Sequence, residues 1–162
     1  MKKSMIPTVA MVLFAAPALA TGMHFGTHDG HEMMIIGQPG IAAKVDRTIA
    51  ISMVENEDGS MAFDPVSVTV KKGETVRLAF TNEGEYGHEF VMDTHEQLME
   101  HKAGMERLPD MEHADLNAIR IGPQGNGEIV WTFTSVGQFD FACLIPGHYE
   151  LGMKGTLTVV AN

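Results

Sequence analysis

GQFDFACLIPGHYELGMKGTLTVV, residues 137–160, decides how the chain folds. Phe139, Phe141 and Cys143 alternate with Gln138, Asp140 and Ala142. That period-two pattern marks a strand with one face turned to a core. GTLTVV is a second such run after it. The loop between them carries Cys143, His148 and Met153, spaced as C-x4-H-x4-M. Ile145-Pro146-Gly147 reads as a turn that folds His148 back toward the thiol, and Gly152 loosens the backbone ahead of Met153. One short segment thus offers a thiol, an imidazole and a thioether to a single point at a strand end.

Working outward, the same pattern recurs. DRTIAISMV turns Ile49, Ile51 and Met53 to one side, DPVSVTV does so with Val66, Val68 and Val70, and ETVRLAF with Val76, Leu78 and Phe80. GHEFVM is a fourth run, and GEIVWTF sets Ile129, Trp131 and Phe133 inward. With the two runs above, seven short strands separated by turns such as NEDGS and KKG predict an all-β antiparallel sandwich or small Greek-key barrel. Residues 93–120 interrupt it. Thr94 followed by Gln97 is a capping box, and HEQLMEHKAGM is rich in helix formers. Gly104, Pro109 and Asp110 then end or kink the helix. The expectation is a helical insertion between the fourth and fifth strands, irregular toward its end.

The chain has 162 residues. It opens with Lys2 and Lys3, an apolar run from Met5 to Leu19, and Ala18-Leu19-Ala20 as a small-x-small cleavage signal. Residues 1–20 therefore read as a secretory signal peptide, cleaved after Ala20, and the address as periplasmic. No other segment approaches the roughly 18 apolar residues that span a bilayer. Residues 21–44, rich in Gly, His and Met, read as a flexible arm, and 45–162 as one domain. Lys and Arg number 11 against 21 Asp and Glu, a formal net charge of −10. That balance excludes nucleic acid and anionic membranes as partners and keeps a monomer soluble.

Cys143 is the only cysteine. Exported proteins normally pair their thiols, so this one pairs with another chain, lies buried and inert, or is occupied by a metal. A further imidazole is available from His88, which shares a strand face with Phe90 and Met92. Two imidazoles, a thiolate and a weak thioether form the ligand set of a type 1 copper site. Thiolate and thioether suit Cu(I), and imidazole suits both oxidation states.

On GHEF and FDFACLIPGHYELGMKGTLTVV the chain resembles the cupredoxins over most of residues 46–160. The resemblance implies a Greek-key β-sandwich with one type 1 copper held by His88, Cys143, His148 and Met153. The leader, the His/Met arm and MEHKAGMERLPDMEHADLN are similar to the periplasmic copper-tolerance cupredoxins, the CopI-like group. Many cupredoxins follow the upstream histidine with Asn; here it is Glu89, which alters the surroundings of the ligands.

A second set of soft ligands lies in and around the insertion: Met92, His95, Met99, His101, Met105, Met111 and His113. His95/Met99 and His101/Met105 stand at i,i+4, so each pair can share a helical face. The set is either an additional Cu(I) site or the packing of the insertion against the sandwich. His24, His28 and His31 in the arm are weak copper ligands or part of a polar leader. The chain is expected to support copper tolerance by binding or redox handling of Cu(I) and Cu(II). The alternative is a mobile one-electron carrier for a respiratory or nitrite-reducing enzyme. Its partners are copper ions with either a redox protein or a copper exporter component. The sequence has no H-x-H pair of the kind multicopper enzymes use, so it reads as a non-enzyme. A weak cuprous oxidase activity is the one catalytic reading left open.

Overall fold

A computed structural model describes residues 34–107 and 115–162. The signal segment, His24, His28, His31, Met111 and His113 lie outside them. The strands are β1 (Gly37–Pro39), β2 (Arg47–Glu55), β3 (Met61–Asp64), β4 (Ser67–Lys71), β5 (Thr75–Asn82), β6 (His88–Asp93), β7 (Ala118–Ile121), β8 (Asn126–Phe133), β9 (Gly137–Ala142) and β10 (Lys154–Val160). The helix α1 (His95–Arg107) falls between β6 and β7. Two five-stranded sheets result, ordered β1-β8-β5-β2-β3 and β4-β10-β9-β6-β7. The expected all-β Greek-key sandwich with a helical insertion is what forms. Among the described residues no helix is long and apolar enough to cross a membrane.

Alternation places the core between the sheets. Val76, Leu78 and Phe80 on β5 and Ile129, Trp131 and Phe133 on β8 are buried, with Val76 opposite Trp131 and Leu78 opposite Ile129. The other sheet answers with Val68 and Val70, Phe90 and Met92, Phe139 and Phe141, and Leu157 and Val159. Phe141 stacks on Phe90 at 5.2 Å and meets the edge of Phe63 at 5.4 Å, so aromatic rings fill the gap between sheets.

Several expectations need correction. The strands number ten among the described residues, because β1, β3 and β7 are too short to announce themselves by periodicity. The sheets are mixed rather than antiparallel, since β2 runs parallel to β5 and β10 parallel to β4. Val66, expected inward, is 60 % exposed, and β4 begins only at Ser67. The part of the 21–44 arm that the structure describes packs on the sheet from its first residues: Ile36 is fully buried and β1 pairs with β8. Gly37 makes this approach possible, because a side chain there would collide with the Thr132 carbonyl and the Trp131 indole nitrogen. The end of the insertion is not irregular throughout. Ala118–Ile121 pairs with β6, setting His88 opposite Ile121.

The helix begins as its sequence requires. Thr94 Oγ1 accepts from the Gln97 backbone N–H at 3.3 Å. Leu98 and Met105 point from its inner face into a second apolar cluster with Val91, Ala142 and Leu144.

Candidate metal centre

His88 opens β6, where it pairs with Ile121 of β7, and three residues further on the strand is also held by β9. Cys143 follows the last residue of β9, and its N–H donates to the Met153 carbonyl at 3.0 Å across the mouth of the β9–β10 connection. Inside that loop His148 N–H donates to Ile145 O and Met153 N–H to His148 O. Gly147 and Gly152 hold φ of 92° and 103°, a conformation that side-chain-bearing residues rarely adopt. The loop is therefore a sequence of tight turns that returns His148 and Met153 to the strand end where Cys143 sits.

The side chains meet as that path dictates. His88 Nδ1 lies 3.2 Å from His148 Nδ1, and His148 Nδ1 lies 3.3 Å from Cys143 Sγ. One ligand atom from each of His88, Cys143 and His148 falls within 4.8 Å of the others; among the described residues it is the one such group of three or more His, Cys, Asp or Glu side chains. Met153 is fully buried in the main core, and its backbone is hydrogen-bonded to Cys143 and His148. The Glu89 N–H donates to Cys143 Sγ at 3.3 Å, an interaction that favours charge on sulfur. Burial outweighs it and pushes the thiol up to about 11. Burial, and then the neighbouring His88, hold His148 below the usual imidazole value. Two imidazoles and a thiol thus aim their donor atoms at one point, and this set fits copper.

The surroundings contain one group, Glu55, that sequence reasoning did not connect to the ligands. Glu55 Oε1 lies 3.1 Å from His88 Nε2, on the far side of the ring from Cys143. Burial raises the Glu55 carboxyl, but the Tyr86 and Glu85 backbone N–H groups and His88 together bring it below its ordinary value. Glu89, in place of the usual Asn, turns its carboxylate to Arg120 Nε at 3.0 Å, and Arg120 Nη2 reaches Met105 Sδ at 3.9 Å. The residue after His88 is thereby tied to the insertion.

The described members of the second set of soft ligands are dispersed. Met92 lies in the main core, whereas Met105 and Met99 pack with the second cluster beneath α1. His95 pairs with Asp140 at 2.8 Å on the surface, and His101 stands 4.0 Å from Asp115.

Residues 50–160 match the model of the copper-binding proteins of the plastocyanin/azurin family. The chain belongs to this family. As a cupredoxin it binds copper, and its relatives agree. It is 46 % identical over 136 residues to the copper-resistant cuproprotein CopI of Rubrivivax gelatinosus, covering 84 % of this chain and 80 % of that one. It is 33 % identical to the protein of the same name from Pseudomonas aeruginosa, over 91 % of each chain. Among solved structures, the dithionite-reduced auracyanin of Roseiflexus castenholzii superposes with a TM-score of 0.60 at 28 % identity, covering 72 % of this cupredoxin and 98 % of the auracyanin.

Proposed function

We propose that the protein is a periplasmic cupredoxin whose type 1 copper centre is held by His88, Cys143 and His148, with Met153 as the weak fourth ligand. It supports copper tolerance by binding copper or changing its oxidation state. Residues 1–20 serve as its export signal, and the sandwich is its one copper-binding domain. The observation that carries this reading is the convergence of two Nδ1 atoms and Sγ at the end of β9. The likeness to proteins named copper-resistant cuproprotein CopI supports the tolerance role. Bound copper would supply one-electron exchange, which is all the site is asked to do; the protein is not an enzyme on this reading.

A second reading, a mobile electron carrier, draws on the surface beside His148. Tyr86 and Leu151 are exposed there and, with Pro146 and Glu85, rim a shallow cavity that opens onto the His148 ring. Such an edge suits transient docking of a redox protein.

Titrating the purified chain with Cu(I) against a competing chelator separates the two. Two or more tight equivalents per chain support copper handling, whereas one equivalent favours the carrier. Protons give an independent check. A thiol at about 11 still holds its proton at pH 7, while the depressed His148 is already neutral. Loading should therefore release about one proton per ion, and apparent affinity should rise about tenfold per pH unit between pH 7 and 9. Indicator titration in weak buffer measures the first, and chelator competition at several pH values the second.

A further inference from the structure

Glu55 is the last residue of β2 and lies opposite Met61 of β3. Its side chain leaves the end of β2 for the 83–87 loop, where Oε1 accepts from the Tyr86 N–H at 2.9 Å and meets His88 Nε2 at 3.1 Å. Gly84 leaves the space it occupies; a side chain there would run into the Glu55 carboxylate. The loop itself is fastened. Asn82, 1 % exposed, donates to the carbonyls of Tyr86, Ile121 and Gly122 and accepts from the Gly84 N–H. Gln124 Nε2 donates to the carbonyls of Glu83 and Gly84. The carboxylate is thus held in place by backbone that has little freedom to move.

We propose that Glu55 is the positioning residue of the copper centre, accepting the Nε2 proton of His88 so that its Nδ1 lone pair faces Cys143 and His148. The proposal rests on the copper-centre reading above and deepens it. A ring nitrogen can ligate only if the proton sits on the other one, and a carboxylate acceptor fixes that tautomer. The negative charge also makes the imidazole a stronger donor. That favours the more highly charged Cu(II) over Cu(I), so Glu55 lowers the reduction potential.

The test is Glu55→Gln in the full chain, which keeps the shape and an acceptor and removes the charge. Removing such a partner costs about 10–100-fold in metal affinity. With Cu(I) affinity nearly unchanged, a tenfold loss for Cu(II) raises the potential by about 59 mV. Glu55→Ala adds a structural readout. In the Cu(I)-loaded wild type, nitrogen-detected NMR should show a slowly exchanging His88 Nε2–H, and in E55A that protection should vanish. Equal losses of Cu(I) and Cu(II) affinity, leaving the potential fixed, would reduce Glu55 to packing and overturn the proposal. So would an Nε2–H equally protected in wild type and E55A. Wild type that binds copper independently of Cys143 would instead remove the copper-centre reading, and this inference with it.

Discussion

Cys143→Ser should abolish the strong visible absorption of the copper-loaded protein and weaken copper binding at this site by more than about 100-fold. The magnitude follows from rank among contacts: residues that merely support a ligand already cost about 10–100-fold, and Cys143 supplies the only thiolate in the chain. The fold should survive the change. Sulfur is replaced by oxygen at a fully buried position, and the Glu89 N–H that now points at Sγ keeps an acceptor. Metal-free wild type and variant should therefore melt within a few degrees of each other, and the comparison isolates the ligand from the scaffold. Undiminished colour and affinity in the variant would place the copper elsewhere. Absorption spectra and chelator competition on the same preparations give both answers.

Phe141→Ala should destabilise the metal-free protein by about 3–5 kcal/mol, read as a lower urea midpoint with an unchanged slope. The ring is fully buried and wedged between Phe63 and Phe90. On its third side lies Gly155 of β10, where an added side chain would collide with the Phe141 ring. Neighbours this rigid cannot collapse into the space left behind, so the cost belongs at the upper end for a phenyl group. Val136→Ala is the contrast: that side chain is 55 % exposed and its loss should cost under about 0.5 kcal/mol. A small effect of Phe141→Ala would mean that the core repacks around β9, and that the strand ending at Cys143 is less firmly held than its contacts indicate.

How far the fold could be read from residues alone depended on strand length. β5, β8, β9 and β10 each place two or more large apolar side chains at alternating positions, and a half-buried strand of that length has no other reading. β1 has three residues and ends in proline, while β7 has four and exposes Arg120; neither is long enough to show a period. These strands exist because a neighbour offers a free edge, and that is a property of the assembled sheet. The same division runs through the site. Cys143 and His148 were legible as neighbours because one loop carries both, and His88 because the face it shares with Phe90 and Met92 is plain in GHEFVM. Glu55 was not. It reaches His88 only because β2 ends where the 83–87 loop passes, and because Gly84 leaves room. Nothing local in VENED marks that contact. For the insertion's methionines, spacing alone leaves both a soft-metal site and simple packing open. Among the described ones, Met99 and Met105 pack in an apolar cluster with Val91 of β6 and Ala142 of β9.

Strand order also governs when the molecule can be completed. β10 lies between β4 and β9, with Leu157 beside Val68 and Val159 beside Val70. Until residues 154–160 are available, β4 has no partner strand in its sheet and β9 lacks one of its two. A chain emerging N-terminus first must leave β4 unpaired in its sheet until that segment has emerged. Pairings so distant in sequence are slow to form. Delay of this kind keeps the second sheet incomplete until almost the whole chain is available.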